Sequence, residues 1–227
     1  MDWEGFPYLF FGLIAVGVIA LGIYAYQQEK KRKAALQVLA ASLGLQFDPS
    51  RNPGLAESFG FLNKLQTGSD RYAECALTGE YQGHSVCCFD YHYETYSTDD
   101  KGNRSTEHHW HHLCTLRLPK RFPELTIGPE NLFTRAAKVF GYGSIDFESH
   151  EFSRAFLVRS PDKKFAYDVC HATMMEYLLA NRDLTLEIEL DVLALIFPGT
   201  SDAESLPRNL DRLVTLRDKL PNYLFDS

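Results

Sequence analysis

The sequence predicts an α+β protein. One N-terminal transmembrane helix precedes a single domain built on an antiparallel β-meander, β-hairpins and several helices, the last of them amphipathic. Three observations carry this expectation. Residues 6–26 hold no charged side chain, and at about 1.5 Å per residue they match the ~30 Å hydrocarbon core of a bilayer. Residues 72–118 hold three runs rich in aromatic and β-branched residues, separated by turn signals. Residues 203–220 set Leu206, Leu210, Leu213, Val214 and Leu220 on one helical face before Pro221.

The apolar run ends in aromatic residues, Trp3, Phe6 and Tyr8 on one side and Tyr24 and Tyr26 on the other, as rings that favour the headgroup boundary do. A cleaved signal peptide would need a basic start, a shorter apolar stretch and a small-x-small cleavage site. Only Asp2 and Glu4 lie before the run, whereas Glu29, Lys30, Lys31, Arg32 and Lys33 follow it. Basic residues beside a span stay in the cytoplasm. Residues 1–5 are therefore expected outside, with the domain on the cytoplasmic face of a bacterial inner or plasma membrane. Lys30, Lys31, Arg32 and Lys33 act first as this topology signal, and they are placed to meet anionic headgroups. Gly12, Gly17 and Gly22 lack the four-residue spacing of a helix-pairing face, so no dimer is expected through this segment.

The chain has 227 residues, of which 45% are hydrophobic, 23% charged and 13% aromatic. About 190 residues follow the span, enough for one domain with its own core. The net charge of −7 includes −2 before the span and +3 over residues 29–33, which leaves −8 on the remainder. A domain this acidic, with no basic stripe among its aromatics, is a poor partner for nucleic acid. The expected partners are the lipid bilayer and another membrane or cytoplasmic protein. The five cysteines are odd in number, and Cys87 and Cys88 adjoin. That pattern fits reduced thiols better than a disulfide framework.

Residues 27–54 read as a basic juxtamembrane helix and linker, and residues 55–227 as the domain. Ala34–Leu43 forms a helical stripe that continues from the span, with Gly44 as its stop. A loop follows at residues 49–54, and then a short helical turn over 55–62. Strands are expected at 72–81, 84–96 and about 106–118, with a tight turn at Gln82-Gly83 and a stop at Pro119. Residues 123–129 read as a short edge strand and 131–140 as a helix. Strand pieces follow at 145–147 and 156–159. Ser160-Pro161-Asp162 reads as a helix start with serine as the cap. Helices are expected to about Cys170 and over 173–180, and a hairpin at 184–197 turns on Asp191.

Several segments resemble an uncharacterised family of bacterial single-pass membrane proteins, a domain of unknown function. They are LTGEYQGHSVCCFDYHY at 77–93, DFESHEFSRAFLV at 146–158, FAYDV at 165–169, MMEYLL at 174–179 and the terminal leucine-rich helix ending in KLP. The resemblance spans about three-quarters of the chain and implies a membrane-tethered domain. It carries no catalytic residue. Read from the residues alone, Asp146, Glu148, Glu151 and Arg154 form a polar network around a turn, and Met174 and Met175 belong to a core helix.

The histidine run His108-His109-Trp110-His111-His112 is the most unusual feature. On a strand, His109 and His111 share one face, while His108, Trp110 and His112 share the other. If residues whose numbers sum to 203 are paired, His92 opposes His111 and Glu94 opposes His109. His92, His109 and His111 would then form a three-imidazole zinc site with an open fourth position, with Glu94 behind it. Two readings compete with it: a solvated polar hairpin whose histidines do nothing, and a pH-responsive patch whose clustered histidines repel one another when protonated. GxSxG, P-loop, GxGxxG, HExxH and CxxC patterns do not occur. The leading expectation is therefore a non-enzymatic interaction or regulatory module, and the alternative is a metal-binding protein or metal-dependent enzyme centred on the histidine hairpin.

Overall fold

The computed structural model describes residues 6–99, 102–129 and 143–226, with side chains from residue 14 onward. The elements run α1 (Phe6–Ser42), β1 (Gln46–Asp48), α2 (Pro53–Ser58), a 3-10 turn (Asn63–Gln66), β2 (Ser69–Tyr81), β3 (His84–Thr98) and β4 (Arg104–Pro129). They continue with α3 (His150–Ala155), β5 (Phe156–Arg159), α4 (Lys163–Val169), α5 (Ala172–Ala180), β6 (Thr185–Pro198), α6 (Leu206–Lys219) and a last 3-10 turn (Asn222–Leu224). The α+β class and the antiparallel meander follow the sequence expectation.

The long β4 organises the sheet. It pairs with β3 from Arg104 to Leu116 and with β5 from Thr126 to Pro129 along one edge, and with β6 from His111 to Ile127 along the other. Beyond β3 lie β2 and then β1, and every pairing is antiparallel. Gln82 and Gly83, both at positive φ, make the tight β2–β3 turn.

Three element expectations are corrected. Pro119 does not end a strand, because it falls past the last β3 pair and in the register gap between Arg117 and Phe122 against β6. No ladder bond there needs its missing N–H. The expected hairpin on Asp191 is instead the single strand β6. Leu190 sits at φ +53° within it, and the irregularity inverts the side-chain alternation, so that Ile188 and Leu193 face the same core. Finally, Asp162 caps α4, accepting from the Phe165 amide at 3.0 Å. Ser160 instead donates to the Glu124 carbonyl at 2.6 Å. The helix expected at 131–140 lies outside the described residues. In the acidic block, Glu151 pairs with Arg182 at 2.6 Å rather than with Arg154.

The larger core lies on the sheet face covered by the C-terminal half of α1 and by α3 to α6, where Leu36, Phe152, Met174, Leu178, Leu210 and Leu213 are fully buried. A smaller core lies on the opposite face under α2 and the first 3-10 turn, where Phe59 packs on Phe89 at 5.1 Å between ring centres. Leu36, Ala40 and Leu45 belong to the larger core, and β1 extends the sheet. The stretch from Leu36 to Asp48 thus packs with the domain. Among the described residues no helix is long and apolar enough to cross a membrane.

The second face buries an unusual acid. Glu187 lies beneath the 3-10 turn, and its Oε2 has no hydrogen-bond partner among the described residues. Burial pushes its carboxyl up to about 8, against the pull of the Asn63 and Lys64 amides. Glu189 is raised to about 7, again mainly by burial. Folded Glu187 therefore keeps a proton that the unfolded chain releases near 4.5. The resulting stability is complete below the unfolded value and is lost as pH rises through the folded one. Glu187→Gln, which fixes the neutral form, is expected to melt about 5 °C above the parent at pH 9 and to converge with it near pH 5. Thermal melts across pH read this directly; an equal offset at both pH values would contradict it.

Candidate functional site

Asp90, on β3, has no solvent exposure. A buried carboxylate is costly unless donors surround it, and three separate parts of the chain supply them. Arg32 Nη1 of α1 donates to Oδ2 at 2.6 Å. The Ser201 amide, just after β6, donates to Oδ1 at 2.7 Å. His112 Nδ1, on the neighbouring strand, lies 3.2 Å from Oδ1. Burial alone would raise this carboxyl, but His112, the Ser201 amide and Arg32 outweigh it and hold the pKa below the usual range. Because the carboxylate only accepts, His112 Nδ1 carries the proton. Arg32 also donates to the Ser201 carbonyl at 2.9 Å and pairs with Glu29 at 2.9 Å, and its Nη2 lies 3.8 Å from Glu74.

His112 Nε2 lies 3.2 Å from Cys114 Sγ. The order Cys114–His112–Asp90 has the spacing of a nucleophile, a base and an orienting acid. Cys114, however, is fully buried among core residues, so its sulfur is closed to solvent. Its neighbour Cys88 is held as a thiol well above the ordinary range, first by its contact with Cys114 and then by burial. The arrangement is therefore a structural network.

A cleft of about 460 Å³ opens beside this network, with His112, Phe197, Ser201, Asp202, Arg208 and Asn209 in its wall. Both ring nitrogens of His112 are engaged elsewhere, so it offers the cleft no free base. Asn209 is buried, and its Oδ1 has no partner among the described residues.

The structure divides the four cations at residues 30–33. Lys30 and Lys31 are exposed. Lys33 lies 3.5 Å from Glu29 and 3.6 Å from Glu74, and Arg32 is committed to Asp90. Arg32 thus makes a contact within the domain, and Lys33 lies beside two acids.

The expected histidine set is not assembled. In the observed register His92 opposes Trp110, Tyr93 opposes His109 and Tyr91 opposes His111. Paired numbers sum to 202 rather than 203, and a slip of one residue turns every side chain to the other face. His109 and His111 therefore lie on the second sheet face, away from His92. His109 stacks on Tyr93, with its Nε2 2.8 Å from Thr95 Oγ1. Burial, reinforced by Lys64 and His109, lowers His111 to about 4, so it is neutral. His92 instead meets His108, Nε2 to Nδ1 at 3.1 Å, and His108 Nδ1 lies 3.2 Å from Glu94 Oε1.

No protein-family model matches the chain, and no curated protein matches it. Among solved structures, the fold is similar to the crystal structure of the mycobacterial trehalose monomycolate transport factor A, TtfA. The TM-score is 0.57 at 13% identity, covering 83% of this chain and 96% of that chain. At that identity the likeness is one of fold.

Removing Arg32 leaves Asp90 buried without its guanidinium. Arg32→Ala is expected to cost about 3 kcal/mol in chemical denaturation, in line with the loss of one partner from a buried pair. Lys30→Ala and Lys31→Ala should each stay within about 0.5 kcal/mol. Equal effects across the three would refute the assignment of Arg32 to the domain.

Proposed function

We propose that this protein is a membrane-tethered, non-enzymatic interaction module. One N-terminal helix spans the bilayer and holds the domain on its cytoplasmic side. The observation that carries this reading is the bare N-terminal half of α1. Val16, Val18, Ile19, Leu21 and Ile23 are 54–70% exposed, and residues 14–28 are exposed on every side of the helix. A soluble helix hides such residues against a core, whereas lipid solvates them all round. The proposed span begins at residue 6, ahead of the described side chains. Lys30 and Lys31 stay free at its cytoplasmic end, the position that basic residues favour.

Arg32, Leu36 and Ala40 recur every fourth residue and so share one face of the same continuous helix. That face is seated on the domain, so bilayer and sheet are joined without a flexible linker. A rigid mount suits a part that presents a surface to a neighbouring membrane protein. The resemblance of several segments to single-pass bacterial membrane proteins points the same way. So does a fold like that of a protein named as a transport factor, which is in keeping with organising a membrane process rather than making or breaking bonds.

The test is cell fractionation combined with reporters fused after Ser227. The protein should remain with membranes through high-salt and carbonate washes. A reporter active only in the cytoplasm should give signal, and one active only outside should stay silent. Release by carbonate would overturn the span, and the opposite reporter pattern would overturn the orientation.

A further inference from the structure

We propose that His92, His108 and Glu94 form a binding site for one zinc ion at the outer end of the β3–β4 hairpin. Two of the three ligand–ligand distances already match tetrahedral coordination. Zinc bonds of about 2.0–2.1 Å set neighbouring ligand atoms about 3.3 Å apart. His92 Nε2 and His108 Nδ1 are 3.1 Å apart, and His108 Nδ1 and Glu94 Oε1 are 3.2 Å apart. All three ligand atoms fall within 4.8 Å of one another. Two imidazoles and a carboxylate suit zinc, and three protein ligands leave the fourth position open to water.

The surroundings hold these ligands in place. His92 is 3% exposed. Its ring stacks on Tyr72 at 4.5 Å and packs against Trp110 at 4.7 Å. Its Nδ1 faces the Asp70 carbonyl at 3.4 Å. An N–H aimed at that carbonyl leaves Nε2 unprotonated and free to bind metal, the usual orienting contact of a ligand histidine. The second oxygen of Glu94 accepts from Tyr96 Oη at 3.0 Å, and the same hydroxyl lies 2.6 Å from Asp70 Oδ2.

Asp70 therefore supports two of the three ligands, through its backbone and its side chain. It does so from a distorted position, at φ +49°, inside the register shift between Ser69 and Tyr72. Bulges of this kind re-aim groups beside functional sites. His108 and Glu94 are direct cross-strand partners, so zinc would pin the two strands together. Along β3 the site is one same-face position beyond Asp90.

The test uses the full-length protein in detergent with Zn²⁺ alone, its affinity measured by competition with a chromogenic chelator. One equivalent should bind. His108→Ala, at a position whose side chain is 59% exposed and safe for folding, should weaken binding by more than about 100-fold. Tyr96→Phe, which frees one oxygen of Glu94, should weaken it by about 10-fold. His109→Ala and His111→Ala, on the other face, should leave it unchanged. Absence of stoichiometric binding at micromolar zinc would overturn the site. So would a His109→Ala loss equal to that of His108→Ala, or a His108→Ala protein that binds as the parent does.

Discussion

The buried carboxylate of Asp90 is the constraint on which the arrangement of this molecule depends. Its partners come from positions 58, 22 and 111 residues away along the chain: a guanidinium from α1, an imidazole from β4 and an amide following β6. Each must be in place before the charge is satisfied. Replacing such a group with well-packed apolar residues often leaves stability unchanged or improves it. What the ionic version adds here is geometry. Leu36 and Ala40 seat α1 on the core, and the bond from Arg32 to Asp90 fixes its rotation about its own axis. The helix that leaves the domain is thereby given one direction.

The sheet reaches this geometry through irregularity. Cys75 lies at φ +53° beside the register shift between Glu74 and Leu77. Because of that bulge, consecutive residues Glu74 and Cys75 both face α1, and Arg32 Nη2 approaches Glu74 at 3.8 Å and Cys75 Sγ at 3.7 Å. The bulge at Asp70 does similar work one step further along the strand, carrying a carbonyl to His92 and a carboxylate to Tyr96. At Leu190 the extra residue keeps both halves of β6 packed on the same core. Each irregularity places a specific contact that a regular strand would turn to the opposite face.

The histidine hairpin shows where sequence reading succeeds and where it stops. The alternation of faces was legible, and so was the division of His109 and His111 from His108, Trp110 and His112. The cross-strand register was not, because the connecting loop leaves one residue of freedom. A signal was nevertheless present. Under the observed pairing Cys88 meets Cys114, Phe89 meets Leu113 and Asp90 meets His112. Thiol thus meets thiol, apolar meets apolar and acid meets imidazole along the ladder. The alternative sets Asp90 against Leu113, a charge opposite an apolar side chain. Arg32 was missed for a related reason. A basic residue beside an apolar helix is read as a membrane signal, and nothing local reveals a buried acid far along the chain.

The sequence by itself determined what depends on near neighbours. The long N-terminal helix, the meander with its Gln82-Gly83 turn, the amphipathic α6 and the acidic balance of the chain all follow from period, capping and composition within short windows. The tertiary structure alone decided that β4 runs unbroken through Pro119, that β6 bends rather than turns back at Asp191, and that the C-terminal half of α1 belongs to the core. It alone joined Arg32 to Asp90 and His92 to His108. These outcomes rest on pairings between distant segments. A proline is harmless only where no partner strand asks for its N–H, and a charge is stable in the interior only where the rest of the fold brings its donors.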